Sequence, residues 1–297
     1  MIMHISVLRK EVIQYLDPKP NENFIDCTIG NGGHTLAIME KTAPRGKVLG
    51  IDRDSEVIEN LKLKIKNWGK RITLFCGNFA DLEQIVREQK FGKVNMILFD
   101  LGMSSWHLEE SGRGFSFQKR EPLDMRYDKR NQLTAEKIVN YWSRLELVRI
   151  LKDYGEERFA ENIAREIVQT RQVKPIKNTL QLVEAVKRAV PGFYKRQRAH
   201  FATKTFQALR IAVNDELNNL QKGLCRALEV SEEGGRIAVI SFHSLEDRLV
   251  KNFFRDKAKE EKAEIITKKP ITASLAEIKN NPRARSAKLR AAKKINS

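Results

Sequence analysis

The sequence predicts an α/β fold in which a parallel sheet is interrupted by a mostly helical segment. In the first hundred residues, short apolar runs alternate with longer helical patterns, which is typical of βαβ units. The strand pattern disappears between Trp106 and Thr203 and then returns with one further apolar run. A chain of 297 residues is long enough for one large domain or two modest ones.

Five apolar runs, each ending at a polar residue or a glycine, predict the strands of this sheet. They cover residues 23–30, 47–52, 71–77, 94–100 and 235–243. Helices are expected between the first four, near residues 34–42, 54–68 and 80–90. Before the fifth, a helical pattern runs from about Lys204 to Val230. After it, Ser244 and Asp247 predict a capping box that opens the next helix.

The interruption of the sheet predicts a discontinuous core domain. Helical periodicity runs through residues 134–155 and 157–171, where no strand pattern is found. We therefore expect residues 1–107 and 204–297 to form the sheet-containing core, and residues 108–203 to form a helical insertion.

The positive charge is concentrated in two segments. The net formal charge is +17, and residues 163–210 contain eleven Lys or Arg against two Glu. Residues 281–297 contain six more Lys or Arg and no acid. A charge clustered in this way favours a nucleic-acid partner over a merely solvated basic surface. We expect both segments to contact phosphate.

Several classes of protein are excluded by composition. No stretch approaches the 18 or so apolar residues of a membrane span, so no membrane association is expected. The first residues show no targeting leader, which predicts a cytoplasmic protein. The three cysteines are isolated and the five histidines lack ligand spacing, so neither a disulfide framework nor a metal site is predicted.

A glycine loop after the first predicted strand indicates a nucleotide-like ligand. Gly30, Gly32 and Gly33 precede His34 at the start of a helix, where a ligand can approach the backbone closely. Asp52 follows about 20 residues later and is placed to accept hydrogen bonds from a ribose diol, which dinucleotides and S-adenosylmethionine share. The third glycine of the dinucleotide pattern is missing. NAD and a turn without any ligand remain as alternatives.

Carboxylates also end or lie on other predicted strands, namely Asp26 on the first and Asp100 on the fourth. Parallel sheets bind ligands at the carboxyl ends of their strands, so Asp26, Asp52 and Asp100 are expected at one edge. Asp100 is the candidate catalytic residue. Its carboxylate could hold the N–H groups of an attacking amine, or contact the cofactor instead. Phe79, after the third strand, could pack on an adenine.

Ordered motifs throughout the chain resemble one family, the bacterial 16S ribosomal RNA cytosine-N4 methyltransferases (RsmH or MraW). The resemblance runs from about His4 to Ala292. The matching blocks are HISVL (4–8), GNGGHT (30–35), IDRD (51–54), DLGMSS (100–105), RGFSF (113–117), LDMR (123–126), YGEERFA (154–160), ATKTFQALRIAVNDEL (202–217), ISFHSLEDRLVK (240–251) and NPRARSAKLR (281–290).

The resemblance implies a Rossmann-like class I methyltransferase core with an inserted helical substrate domain. It implies S-adenosylmethionine as the cofactor and one cytidine in the decoding region of 16S ribosomal RNA, within the small ribosomal subunit, as the substrate. No obligatory protein partner is implied. By position, the residues implied to bind the donor are Gly32, Gly33, His34, Asp52, Phe79, Asp100 and His107.

His107 is where the chain departs from the family pattern. Family members commonly read D-L-G-x-S-S-x-Q, and here an imidazole stands where Gln is expected. Trp106, Phe115 and Phe117 are nearby aromatic candidates for holding a flipped cytosine. A non-catalytic RNA-binding assembly factor remains as an alternative that only the charge supports.

Overall fold

The computed structural model describes residues 6–65 and 68–295, so His4 and Ile5 of the first family block lie outside the described residues. The chain forms two compact units. The first unit comprises Met1–Gly102 and Leu217–Ser297, and the second unit comprises Met103–Glu216. The sequence predicted the divisions between residues 107 and 108 and between residues 203 and 204. The first predicted division is a few residues from the observed one, and the second is thirteen residues from it.

The first unit contains one mixed, mainly parallel sheet. Its strands are β1 (Phe24–Asp26), β2 (Val48–Asp52), β3 (Ile72–Cys76), β4 (Val94–Asp100), β5 (Ser231–Ser241), β6 (Ala263–Ile265), β7 (Ile271–Thr272) and β8 (Lys288–Lys294). The order across the sheet is β3-β2-β1-β4-β5-β8-β6, and β7 also pairs with β8. Strands β1 to β5 are parallel, whereas β8 runs antiparallel to β5, with Lys288 opposite Ser241. The predicted fold class and all five predicted strands are confirmed.

Helices cover both faces of this sheet because alternate strand residues point to opposite sides. In β1, Ile25 belongs to one buried cluster and Phe24 to another. The helices of this unit are α1 (Arg9–Leu16), α2 (Gly33–Lys41), α3 (Ser55–Lys64), α4 (Leu82–Glu88), α12 (Glu216–Val230), α13 (Ser244–Lys259) and α14 (Leu275–Asn280). Helix α3 ends before residue 68, where the sequence pattern ended; residues 66–67 lie outside the described ranges.

The second unit is helical. Its helices are α5 (Ser105–Glu109), α6 (Ala135–Tyr141), α7 (Arg144–Asp153), α8 (Ala160–Val173), α9 (Thr179–Ala189), α10 (Gly192–Lys195) and α11 (Thr203–Asn214). They pack around a core of their own that includes Ile138, Leu151, Ile163 and Leu209. No helix in the described part of either unit has the length and apolar character of a membrane span.

The basic tail differs from its prediction, because Lys288–Lys294 forms an inner strand of the sheet. Arg290 is 8% exposed, and its guanidinium Nε donates to Asp247 Oδ1 at 2.6 Å. Lys294 Nζ donates to the carbonyl oxygens of Glu229 and Ser231. Much of the tail's charge therefore stabilises the first unit, and the expectation of a phosphate-contacting tail is wrong for Arg290 and Lys294.

Two helix boundaries also differ from prediction. The N-cap of α13 is His243, whose Nδ1 accepts from Glu246 N while the Glu246 carboxylate accepts from His243 N, so the predicted capping pair of Ser244 and Asp247 is wrong. The single helix predicted from Lys204 to Val230 is two helices, because Asp215 takes a left-handed conformation with φ 49° and ends α11.

Candidate active site

The glycine loop joins β1 to α2 at the carboxyl edge of the sheet. Gly30 (φ 50°) and Gly32 (φ 75°) have left-handed backbones that side chains disfavour, and Gly32 N donates to Ile29 O at 2.7 Å in the turn. The glycines therefore give this loop its conformation without the help of a ligand.

Asp26 lies beneath the loop and braces it. The side chain is 2% exposed, and Oδ2 accepts from Thr35 Oγ1 at 2.7 Å while Oδ1 accepts from Thr28 N at 3.2 Å. Burial raises the pKa of Asp26 to about 6, against the lowering effect of the Thr35 hydrogen bond. Its contacts tie the end of β1 to the first turn of α2.

Asp52, at the end of β2, connects two loops. Oδ2 accepts from Gly30 N at 3.2 Å and Oδ1 accepts from Asp54 N at 3.0 Å. Gly77 N, just after β3, donates to the Asp52 carbonyl at 2.9 Å. The carboxylate is thus fixed beside the glycine loop, where the sequence predicted it.

Asp100, at the end of β4, lies beside His34. Asp100 Oδ2 is 3.5 Å from His34 Nε2, and Asp100 Oδ1 accepts from Gly102 N at 3.2 Å. The backbone N–H of Asp100 donates to Thr28 Oγ1 at 2.7 Å. His34 is 6% exposed, and within the described residues neither of its ring nitrogens has a hydrogen-bond partner. Such a pair of orphaned buried atoms is unusual and marks a position where a polar ligand can bind.

The glycines of the loop also allow close packing within the protein. A Cβ on Gly33 would lie 2.1 Å from Ser6 Oγ, and one on Gly32 would lie 2.6 Å from the Trp68 ring. Ser6 and Trp68 were not among the predicted site residues, because their approach to the loop is long-range and leaves no local pattern. The absence of side chains at these two positions therefore has a packing cause as well as any role in binding.

Phe79 follows β3 at the same edge of the sheet, but its ring belongs to the core. It is 8% exposed and packs edge-on against Phe99, with ring centroids 5.3 Å apart. A Cβ on Gly223 would meet the Phe79 ring at 2.6 Å. Asn78 caps the short helix that places this ring, accepting from Ala80 N. At most a small part of the Phe79 ring is available to a ligand.

His107 belongs to the second unit. Its ring is 5% exposed, its Nδ1 is 2.8 Å from Ser104 Oγ, and it packs against Phe115 and Tyr127. Phe115 is buried and stacks on Tyr127. The first unit therefore brings together Gly32, Gly33, His34, Asp52 and Asp100.

The strand order reverses between β1 and β4, which is the switch point at which open α/β sheets bind their ligands. The glycine loop, Asp52 and the His34–Asp100 pair all lie there. The residues fit an adenosine-containing cofactor with a polar amino-acid end, since Asp52 offers acceptors for a ribose diol and His34 offers unsatisfied nitrogens. Fold and site together define a Rossmann-like transferase of the methyltransferase class.

Comparison with known proteins gives the family. The model of the MraW methylase family matches residues 1–295. The chain is 47% identical to ribosomal RNA small subunit methyltransferase H of Halothermothrix orenii, over 99% of each chain, and 46% identical to that of Syntrophotalea carbinolica, also over 99% of each. It is 47% identical to the protein of the same name from Thermotoga neapolitana, covering 98% of this chain and 96% of the relative.

The chain belongs to the MraW methylase family. The resemblance that the motifs indicated is confirmed, and the protein is an S-adenosylmethionine-dependent methyltransferase. The NAD-dependent enzyme and the non-catalytic assembly factor are not favoured.

Proposed function

We propose that this protein transfers the methyl group of S-adenosylmethionine to the exocyclic N4 of a cytidine in the decoding region of 16S ribosomal RNA. The substrate is the small ribosomal subunit in the cytoplasm. The relatives' shared name supports ribosomal RNA of the small subunit as the target. The observation that carries the proposal is the buried His34 imidazole, which finds no hydrogen-bond partner among the described residues and lies 3.5 Å from Asp100 at the switch point of the sheet.

The donor-binding role falls on the residues of the glycine loop and the neighbouring strand ends. Gly32 and Gly33 leave the backbone open, His34 supplies ring nitrogens for a polar group, and Asp52 accepts hydrogen bonds from ribose hydroxyls. Phe79 contributes a ring edge toward the adenine side. The seventh position, His107, takes the place of the family Gln with a side chain of similar reach.

Asp100 is the candidate for orienting the attacking amine. The donor supplies an electrophilic methyl group on a positively charged sulfur. In the transfer, N4 would accept the methyl group, the donor would leave as a neutral thioether, and one N4 proton would pass to solvent. A carboxylate that accepts the N4–H hydrogen bond favours the positive charge developing on nitrogen, and holds the base in line.

The second unit is proposed to recognise the RNA. A cytosine must be unpaired or flipped before its amine can be attacked, so the protein needs surface that holds RNA outside the reacting base. The helical segment carries more than half of the net positive charge of the chain in residues 163–210, where eleven Lys or Arg stand against two Glu. Phosphate contacts from this segment predict an affinity that falls steeply with salt.

Labelled donor and undermethylated small subunits test the proposal directly. The wild-type protein should place label on cytosine N4, and Asp100→Asn should lower the single-turnover rate by about 100-fold or more, as expected when a transition-state interaction is lost. Asp256→Asn, an exposed carboxylate on α13, serves as the matched control and should retain full activity.

Calorimetry with S-adenosylmethionine and with NAD separates the competing functions. Donor binding with no label on N4 would exclude the proposed reaction while leaving the cofactor assignment intact. If Asp100→Asn still labels cytosine N4, Asp100 is not the catalytic residue, but the proposed function of the protein stands.

A further inference from the structure

The second unit presents an aromatic surface formed by the exposed ring of His200 and the half-buried rings of Phe117 and Phe201. His200 stacks on Phe117 with centroids 4.4 Å apart and planes 6° from parallel, and it contacts Phe201 at 4.2 Å. His200 is exposed, whereas Phe117 also packs edge-on against the buried ring of Phe206 at 5.7 Å. The surface rings are therefore held in place by the core of the unit.

The protonation state of His200 suits stacking. Ala202 N donates to His200 Nδ1 at 3.3 Å, which leaves the ring hydrogen on Nε2. Burial lowers the pKa of His200 below its ordinary value, so the ring is neutral at pH 7. A neutral, planar ring with one outward donor can stack on a nucleobase and also hydrogen-bond to it.

Three cations precede His200 and Phe201 in the chain, one at the end of α10 and two in the loop that follows it. Lys195, Arg196 and Arg198 are exposed, and none of them forms an ion pair within the residues that the structure describes. Other cations of the segment are engaged internally: Arg171 with the carbonyls of Val139 and Trp142, Arg188 with Glu166, Lys204 with the carbonyl of Glu156, and Arg210 with Glu216. Arg165, Lys174 and Lys177 of the segment are also exposed, but Lys195, Arg196 and Arg198 bring three exposed cations together within four residues, next to His200.

The loop is anchored at both ends. At its start, the buried Tyr194 hydroxyl donates to the Glu157 carboxylate, 2.9 Å from Oε2 and 3.1 Å from Oε1. Burial and the hydrogen bond to Glu157 raise the pKa of Tyr194, so the phenol stays protonated and keeps donating. At the other end, His200 stacks on Phe117. An anchored loop loses less conformational freedom on binding than a mobile one.

We propose that the surface formed by Lys195–Phe201 and Phe117, here called the ring-and-loop surface, binds an unpaired stretch of RNA. A base stacks on the exposed ring of His200, which Phe117 supports, and the adjoining phosphates pair with Lys195, Arg196 and Arg198. An unpaired strand is favoured over a duplex because the bases of a duplex already stack on one another and offer no free face. The inference rests on the proposed RNA substrate, and it adds that the RNA bound at the ring-and-loop surface is single-stranded.

Fluorescence anisotropy with the full-length protein tests the surface. The probes are a labelled ten-nucleotide RNA without secondary structure and the same strand in a duplex. His200→Ala should weaken single-strand binding by about fivefold or more, the usual effect of removing a stacking ring. His200→Phe, which keeps a ring, should stay within about twofold of wild type. Neither variant should change duplex binding by more than about twofold.

The charge contribution is read from the salt dependence. The triple variant K195A/R196A/R198A should make the slope of log affinity against log salt shallower by about 2, since each phosphate contact on a single strand contributes about 0.7. The matched control K47A/K70A/K93A removes three exposed cations from the first unit, outside residues 163–210, and should change the slope by clearly less.

Equal losses in the two triple variants, or unchanged single-strand binding by His200→Ala, would overturn the inference. Circular dichroism of each variant confirms that it is folded. Failure here is separable from failure of the proposed function. A protein that methylates cytosine N4 but whose variants bind the single strand normally loses only this inference. A protein that binds the single strand as expected but never labels N4 loses only the proposed function.

Discussion

Nε2 of His34 lies 3.5 Å from Oδ2 of Asp100, and among the described residues the imidazole has no hydrogen-bond partner. Leaving a buried polar atom unsatisfied costs about 1–3 kcal/mol. A site that tolerates this cost in the free protein gains it back when a ligand supplies the missing partner. In the free protein the unsatisfied imidazole is therefore expected to lower stability, which agrees with its proposed role in binding the donor.

Replacing His34 with leucine separates binding from folding. His34→Leu removes the unsatisfied nitrogens while filling a similar volume, so the free energy of unfolding without donor should stay level or rise by about 1 kcal/mol. Donor affinity should fall by about tenfold or more. Urea denaturation and calorimetry check the two effects, and unchanged affinity would show that the imidazole does not contact the donor.

Gly33 can be tested for its two possible roles with a double variant. A Cβ at Gly33 would meet Ser6 Oγ at 2.1 Å, so Gly33→Ala should destabilise the protein by about 1–2 kcal/mol through overpacking. In Ser6→Ala/Gly33→Ala the hydroxyl is gone, and the stability should recover. If the donor also needs that space, its affinity stays low in the double variant. Recovery of both properties would reduce Gly33 to a packing role.

The raised pKa of Asp26 predicts that the stability of the protein depends on pH. Because burial raises its folded pKa from 3.8 to about 6, the unfolded chain ionises first, and stability is lost as pH rises through this window. The loss amounts to about 3 kcal/mol at 1.4 kcal/mol per pH unit. Asp26→Asn keeps both hydrogen-bonding positions, since the Thr35 hydroxyl can also accept. Its stability relative to wild type should therefore grow between pH 4 and pH 7.

The measurement for Asp26 is urea denaturation at several pH values, with Asp256→Asn as the control carboxylate. Asp256 is 54% exposed, and its replacement should give a nearly constant difference over the same range. A constant difference for Asp26→Asn as well would mean that Asp26 ionises in the folded protein as it does in the unfolded chain.

Arg290 should matter to folding more than its place in a basic tail implies. Burial raises the pKa of Asp247, but the hydrogen bond and charge of Arg290, with help from Lys288, outweigh it and hold the pKa below its ordinary value. Arg290→Ala should lower the free energy of unfolding by about 2–4 kcal/mol, since it strands a mostly buried carboxylate. Arg255→Ala, which breaks an exposed pair with Asp256, should cost less than about 0.5 kcal/mol. Similar losses in thermal or urea melts of the two variants would contradict this.

The sequence predicted the features that local patterns encode. The five parallel strands were found because each is a short apolar run with a defined end. The meeting of Asp52 and Asp100 at one edge followed from the geometry of parallel strands, with no contact needing to be known. Glycine spacing likewise located the loop before His34.

Other features depend on contacts between distant residues. Strand β8 was missed because Lys288, Arg290 and Lys293 break its apolar alternation, and the burial of Arg290 is possible only with Asp247 beside it. The break at Asp215 was missed because the helical periodicity continues across it. The packing of Phe79 on Phe99 is likewise a contact that no local pattern encodes, and the role of Phe79 beside a ligand stays a prediction.

The antiparallel strand β8 sits inside the sheet between β5 and β6, although it comes from residues 288–294. During synthesis, β1 to β4 and all of the second unit leave the ribosome before this strand is made. The second unit, being continuous in sequence, can complete its core at once. Until β8 is made, one edge of β5 in the first unit is unpaired. An unpaired edge strand can associate with the edge strand of another molecule. A methyltransferase whose candidate site lies on β1, β2 and β4 therefore acquires a finished sheet only after residues 288–294 have been translated.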